Sequence, residues 1–381
     1  MDFALSQDQE ELRDRAREFG ESRLNEGIAE RDRAGEFSRE NWMACAAFGL
    51  QGIVVPERYG GMGLKPRDIV AILEGAGQGC RDNGLLFSIN AHVWACEIPI
   101  LNFGNEDQKQ AYLPKLCRGE WIAANAMTEP DSGSDAYALR TSARKEKDYY
   151  VLKGSKTFVT NAPMADLFVA YARTGGDRGF AGLSCFAIER GTPGLTVGKD
   201  LEKMGLRTSP MAEVAFDDCK VPEKNRIGKE GAGAMIFADS MEWERLFILS
   251  SCLGAMDHRL RACIEYAKMR KPGGIPISKH PAVADKIVQM RIRLETARLL
   301  LYQAAWIKEK KRMAPLESAM AKLYVSDAYI QNARDTIQVY GGYGYMVEYG
   351  VERELRDAIA SSIYSGTSEV QRNIVAGFMG L

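Results

Sequence analysis

Apolar residues recur at helical spacing from residue 6 to about 120 of this chain. Ser6 with Gln9 forms a capping-box pattern, and Leu12, Ala16 and Phe19 follow along one face. Breaks fall at Pro56-Glu57-Arg58-Tyr59-Gly60-Gly61-Met62-Gly63 and at Asn102-Phe103-Gly104-Asn105. From about 122 to 228 the pattern changes to short β-like runs: Tyr149-Tyr150-Val151-Leu152, Leu167-Phe168-Val169-Ala170-Tyr171, Leu183-Ser184-Cys185-Phe186-Ala187-Ile188 and Glu213-Val214-Ala215-Phe216. Glycine-bearing turns such as Gly175-Gly176-Asp177-Arg178-Gly179 separate them. No long helix lies between these runs, which favours an antiparallel sheet over a doubly wound one. Helical periodicity returns from 229. Ile287, Met290, Leu294, Ala297 and Leu301 mark one face of a long helix, and Lys271-Pro272-Gly273-Gly274-Ile275-Pro276 breaks the helix before it. The pattern predicts an α+β chain in three units: an N-terminal helical domain (1–121), a central antiparallel β domain (122–228) and a C-terminal helical bundle (229–381). It shows no internal repeat and no low-complexity segment.

At 381 residues the chain is longer than one core usually serves, in keeping with several packed units. A net charge of −1 gives no basic field to attract nucleic acid or an anionic membrane. The densest basic run, Lys308-Glu309-Lys310-Lys311-Arg312, is expected to be a solvated helix end. Eight scattered cysteines and three histidines (His92, His258, His280) show no metal-ligand spacing, so no metal is expected. Reduced buried thiols in the cytoplasm are the favoured reading. The start, Met1-Asp2-Phe3-Ala4-Leu5, lacks a signal-peptide pattern, and no stretch nears ~20 uninterrupted apolar residues, the length a spanning helix needs.

No G-x-G-x-x-G follows a strand, so a nucleotide cofactor would be held by other means. Candidate segments are Ala126-Met127-Thr128-Glu129-Pro130-Asp131-Ser132-Gly133-Ser134-Asp135 and Gly154-Ser155-Lys156-Thr157-Phe158-Val159-Thr160-Asn161-Ala162. The first offers hydroxyls and backbone N–H groups in a turn. The second puts Phe158 and Thr160 on one strand face, where they would cover a flat ring. A polar turn beside an edge strand is the alternative reading of the same residues.

Six ordered blocks carry a more specific signal. They are Met127-Thr128-Glu129-Pro130 with Gly133-Ser134-Asp135; Lys156 to Asn161; Asp217-Asp218-Cys219-Lys220-Val221-Pro222; Glu244-Arg245; Gln338-Val339-Tyr340-Gly341-Gly342; and Tyr364 to Arg372. With them the chain resembles the acyl-CoA dehydrogenase family over essentially its whole length. The resemblance implies FAD held among the three domains of a homotetramer built as a dimer of dimers. It implies Met127 and Thr128 at the pyrimidine edge and Ser134 near the pyrophosphate and the thioester. Phe158 would lie against the ring, and Thr160 near N5. Thr367 and Glu369 would complete the cradle, with Ser365 and Gly366 beside the substrate. Gln338, Gly341, Gly342 and Arg270 would reach a partner subunit's FAD. Two departures, Gly273-Gly274 and Pro281, stand where the family has residues that seat the adenine.

The family's chemistry needs a carboxylate base, and Ser365 occupies the slot that often carries it. The backbone N–H of Ser365 remains available to a thioester carbonyl. Glu244 is the alternative base. Ser240, Met241, Phe247 and Ile248 stand three and four residues away, so no local cation pairs with it. An unpaired acid on an apolar face is costly unless used or paired from elsewhere in the fold. The resemblance tips the choice, because some family branches carry their base on this helix. Glu242, with Arg245 three residues on, is expected to be structural or ligand-orienting. The leading expectation is α,β-dehydrogenation of an acyl-CoA thioester, with electrons passed to an electron-transferring flavoprotein and Arg245 near the CoA thioester. The rival is the branch acting on acyl or prolyl groups tethered to a carrier protein. A non-catalytic binding protein and an oxygen-using oxidase are the remaining readings.

Overall fold

The computed structural model describes residues 4–175 and 180–381. The first three residues, and 176–179 of the expected glycine-bearing turn, lie outside them. Seven helices open the chain: α1 (Gln7–Arg23), α2 (Ile28–Ala34), α3 (Arg39–Phe48), α4 (Pro66–Gly79), α5 (Asn83–His92), α6 (Ile98–Phe103) and α7 (Glu106–Cys117). The Ser6 hydroxyl accepts from the Gln9 N–H while the Gln9 side chain accepts from the Ser6 N–H, so the expected capping box starts α1. A single π-turn, Val93–Glu97, joins α5 to α6. The whole Asn83–Phe103 stretch is long and apolar enough to cross a membrane, but 83% of its most apolar window is buried inside this fold. It is a core helix.

Eight strands follow: β1 (Ala123–Ala126), β2 (Ser142–Glu146), β3 (Tyr149–Thr160), β4 (Leu167–Arg173), β5 (Leu183–Glu189), β6 (Leu195–Asp200), β7 (Met211–Pro222) and β8 (Arg226–Ile227). They form one sheet in the order β6-β7-β3-β2-β4-β5-β8, with β1 against β4. The long ladders are antiparallel as expected, while β1 runs parallel to β4. The apolar runs of β4 and β5 are buried on both faces. Leu167, Val169, Tyr171, Leu183 and Cys185 join the helical core, whereas Phe168, Ala170, Phe186 and Ile188 line a second core across the sheet.

The chain ends in α8 (Gly233–Phe247), α9 (Ser250–Met269), α10 (Pro281–Lys311), α11 (Pro315–Tyr340), α12 (Gly342–Tyr345), α13 (Val351–Ala360) and α14 (Ser368–Met379). Met290, Leu294, Ala297 and Leu301 are buried on α10, as their spacing predicts. The two helical segments share one core. Ile69 and Trp94 from the first belong to the same cluster as Leu253, Leu294 and Val325 from the second. Small residues permit this close approach. A Cβ on Gly77 of α4 would stand 1.8 Å from the Ser251 carbonyl oxygen, and one on Gly254 of α9 2.1 Å from that of Glu74. Gly77→Ala should therefore lower stability by about 2 kcal/mol. Overpacking costs up to about 3, and better helix propensity returns about 1. A lower thermal midpoint checks this.

One sequence-based expectation fails here. Lys308 is not part of a solvated helix end: it is 4% exposed, and its Nζ lies 2.7 Å from Glu242 Oε1. The side chain turns inward because a buried carboxylate on α8 waits there.

Candidate active site

Glu244 lies toward the end of α8, 8% exposed. Trp94 from the π-turn packs on Phe247, ring centroids 4.9 Å apart, and Tyr171 and Tyr137 pack on Phe237, about two turns before Glu244 on α8. Among the described residues no lysine or arginine forms an ion pair with Glu244, nor does an arginine from elsewhere in the fold claim it. Its carboxylate instead accepts a hydrogen bond from the Ser365 hydroxyl, Oγ to Oε1 2.5 Å. Burial raises the Glu244 carboxyl above the ordinary range; the Ser365 hydroxyl, then Arg245 and Lys322, pull it part of the way back.

The turn carrying Ser365 is pinned by three helices. Ser365 has φ +56°, a left-handed conformation, and Gly366 continues it at φ +88°. Arg245 Nε from α8 donates to the Ser365 carbonyl (3.2 Å). Gln371 Nε2 from α14 donates to the carbonyls of Ser365 (3.2 Å) and Gly366 (2.8 Å). Lys322 Nζ from α11 donates to the Gly366 carbonyl at 2.8 Å. Lys322 is fully buried; burial first, then Arg245, pulls its ammonium down to about 8. The N–H groups of Ser365 and Gly366 meet no acceptor among the described residues. Thr367 caps α14 by accepting from the Val370 N–H, and exposed Glu369 pairs with Arg372.

The other expected residues fall into two groups. Phe158 and Thr160 flank buried Val159 at the end of β3. A bulge between Lys156 and Val159 breaks the ladder to β7, and Phe158 adopts φ +54° with 65% of its surface exposed. A strained, exposed aromatic of this kind offers its ring to a flat partner that would bury it. Met127 and Thr128, at the end of β1, lie beside it. The Thr157 N–H donates to the Thr128 carbonyl (2.9 Å) and buried Lys156 Nζ to the Met127 carbonyl (3.0 Å). Ser134 is exposed in the loop that follows. Helix α5 connects this region to the Ser365 turn: Asn161 Nδ2 donates to the Ser88 carbonyl (3.0 Å), and the adjoining Phe87 ring packs on Tyr364 at 4.7 Å. The exposed Phe158 ring and the residues around it fit the flat ring system of FAD.

Gln338, Gly341, Gly342 and Arg270 form the second group at the far ends of α11 and α9. There the Arg270 guanidinium lies 5.4 Å from the Tyr343 ring centroid, and no atom stands within 4 Å of a Cβ built on Gly341 or Gly342. Gln338 and Lys322 are separated by about 24 Å of helix at 1.5 Å per residue. Along α11 this group therefore stands well apart from the Ser365 turn. The departures have local causes: Gly273 and Gly274 adopt φ +67° and +85°, and Pro281 is the first residue of α10.

Glu242 does not pair with Arg245, as its spacing suggests; it accepts from Lys308 Nζ and from the Ala314 N–H (2.8 Å). Arg245 is thereby left to hold the Ser365 turn. Sequence reasoning missed Lys322 and Gln371. Lys322 shares its buried helix face with Ala319 and Val325 at three residues and Ser318 and Ser326 at four, none of them acidic. The rule that singles out Glu244, a charge with no opposite charge one helical turn away, would have found it.

Family models described as the N-terminal, middle and C-terminal domains of acyl-CoA dehydrogenase match residues 6–120, 124–219 and 231–380. An L-prolyl-[peptidyl-carrier protein] dehydrogenase of Serratia sp. (strain ATCC 39006) is 41% identical over 381 residues, covering 100% of this chain and 99% of that protein. The crystal structure of the prolyl acyl carrier protein oxidase AnaB superposes with a TM-score of 0.98 at 47% identity, covering 99% of this chain and 100% of that one. PigA with FAD and proline gives a TM-score of 0.98 at 41% identity, with both chains covered fully.

Proposed function

Because this chain belongs to the acyl-CoA dehydrogenase family, we propose that it is an FAD-dependent dehydrogenase of prolyl thioesters tethered to a carrier protein. The observation that carries the chemistry is Glu244: a buried carboxylate that forms no ion pair among the described residues and accepts a hydrogen bond from the Ser365 hydroxyl. The relatives named for carrier-bound prolyl groups favour that carrier over CoA, the leading expectation from sequence. Arg245, the residue that leaned toward CoA, has its Nε committed to the Ser365 carbonyl.

FAD fits the residues present: Phe158 and Thr160 against the ring, Met127 and Thr128 at its edge, Ser134, Thr367 and Glu369 around the cradle. When bound it supplies the acceptor for the β-hydrogen and its electron pair. Glu244 removes the α-proton, and its raised proton affinity keeps it basic enough to do so. The free N–H groups of Ser365 and Gly366 donate to the thioester carbonyl as negative charge develops on its oxygen. The α-carbon becomes sp² as Glu244 Oε2 takes the proton, and the C–H pair at the β-carbon leaves with the hydride.

We further propose an electron-transferring flavoprotein as the electron acceptor and a homotetramer in which Gln338, Gly341, Gly342 and Arg270 serve a partner's FAD. The 24 Å separation along α11 supports this division. Eight free cysteines, seven of them buried, suit the cytoplasm. Anaerobic titration of the purified flavoprotein tests the reading. Carrier-bound prolyl thioester should bleach the flavin at least tenfold faster than prolyl-CoA or short acyl-CoA thioesters, and the reverse order would return the function to CoA substrates.

A further inference from the structure

The mechanism above uses the backbone of Ser365 and leaves its side chain without a task. That side chain is nevertheless the partner of the base. Its Oγ is 2.5 Å from Glu244 Oε1, and it reaches there only because residue 365 takes a left-handed backbone that L-residues avoid. Nothing local favours this. The conformation is imposed by Arg245, Gln371 and Lys322, which hold the successive carbonyls of Ser365 and Gly366. Lys322 is a fully buried ammonium whose one hydrogen bond among the described residues goes to that turn.

We propose that Ser365 is the positioning residue of Glu244. Its hydroxyl occupies Oε1, so that Oε2 alone receives the substrate proton, and Lys322 holds the turn that presents the hydroxyl. This inference rests on the dehydrogenase reading for its substrate but on the geometry of these side chains for its substance. The family slot that often carries the base thus holds the group that aims the relocated one.

The pair's environment sets the direction of its pH response. Facing Glu244 are Arg245 on its own helix, Lys322 on α11, Cys96 of the π-turn and Tyr364 before α14; Tyr137 and Glu242 act through Arg245. Burial raises Cys96 and Tyr364 well above their ordinary values, so both stay neutral across the working range. Lys322, near 8, titrates only on the alkaline side. The acid limb therefore belongs to Glu244. The Ser365 hydroxyl favours its ionised form, so removing the hydroxyl must move that limb to higher pH.

Ser365→Gly is the discriminating variant, because glycine accepts φ +56° without strain and a structural role alone would leave it neutral or stabilised. We expect the flavin spectrum to persist. Anaerobic reduction by thioester should be slowed on the acid limb, with the deficit growing as pH falls and closing toward the wild-type rate as pH rises, each pH unit the limb moves being at most about tenfold in ionised base. Independently of turnover, the infrared carboxylic-acid band lost in Glu244→Gln should titrate at higher pH in Ser365→Gly than in wild type. An unchanged acid limb together with an unchanged infrared midpoint overturns the inference and leaves the dehydrogenase reading standing. A shifted infrared midpoint in an enzyme that no thioester reduces sustains the Ser365–Glu244 pairing and removes the function instead.

Discussion

Glu244→Gln should retain bound FAD and lose anaerobic flavin bleaching by thioester, with reduction slowed about 10³- to 10⁴-fold. Glutamine keeps the size and the acceptor oxygen that Ser365 Oγ addresses at 2.5 Å, so the turn and the packing against Phe247 and Trp94 should survive. What disappears is the basic oxygen. A positioned general base contributes roughly 10²- to 10⁴-fold, and the upper part of that range applies where no second carboxylate stands by. Glu242 cannot substitute: it is held by Lys308 and the Ala314 N–H. Stopped-flow reduction under anaerobic conditions checks the rate, and equilibrium dialysis of the thioester checks that binding persists. Reduction at the wild-type rate would remove Glu244 from the reaction.

Lys156→Met should be strongly destabilising, at about 3–5 kcal/mol, at the junction of β1 and β3. Lys156 is fully buried and joins Glu129 Oε1 (2.8 Å) to the Met127 carbonyl (3.0 Å), so one ammonium ties β3 to the end of β1. Glu129 also accepts from the N–H groups of Arg140 (2.6 Å) and Thr141 (2.9 Å). Burial alone would raise its carboxyl, but Lys156 and these donors hold it below the ordinary value. With a depressed folded-state pKa, the carboxylate stabilises the fold above its unfolded value near 4.5, and that contribution is lost as pH falls through the depressed one. Methionine leaves the carboxylate buried and unpaired. The deficit should therefore be largest at neutral pH and shrink on acidification, as protonation relieves the uncompensated charge. Urea unfolding at pH 7 and pH 5 measures both effects. Adding Glu129→Gln should recover most of the loss at pH 7, and a double variant no more stable than the single one would refute the pairing.

The residues that read correctly from sequence are those whose role is set by near neighbours. The Ser6–Gln9 box, the face of α10 from Met290 to Leu301 and the break at Pro272 depend on spacings of three or four residues. Glu244 stood out for the same reason: every residue one helical turn away lacks a positive charge, so an acid there needs an explanation. Where the explanation lay was another matter. Ser365 is 121 residues away in sequence, and its hydroxyl meets Glu244 only because three helices hold the turn left-handed.

Long-range pairing of charges was equally hidden. Spacing matched Glu242 with Arg245, but an exposed i,i+3 pair contributes only a few tenths of a kcal/mol. A buried carboxylate takes instead whichever cation the fold brings to it, and here α10 brings Lys308 across 66 residues. That exchange frees Arg245 for the Ser365 carbonyl. Sharing of one core by the first and last helical segments also lay beyond periodicity, which tells which face is apolar but not what covers it.

By itself, then, the sequence determined the order of helices and strands, the apolar faces, the family signature and the anomaly of an unpaired acid at 244. Each is a property of residues close in the chain. Tertiary structure alone decided which charges neutralise one another, which carboxylate is left free, and that a serine orients it. Those outcomes depend on burial and on contacts between distant segments, and both come into being only when the helices and the sheet have packed.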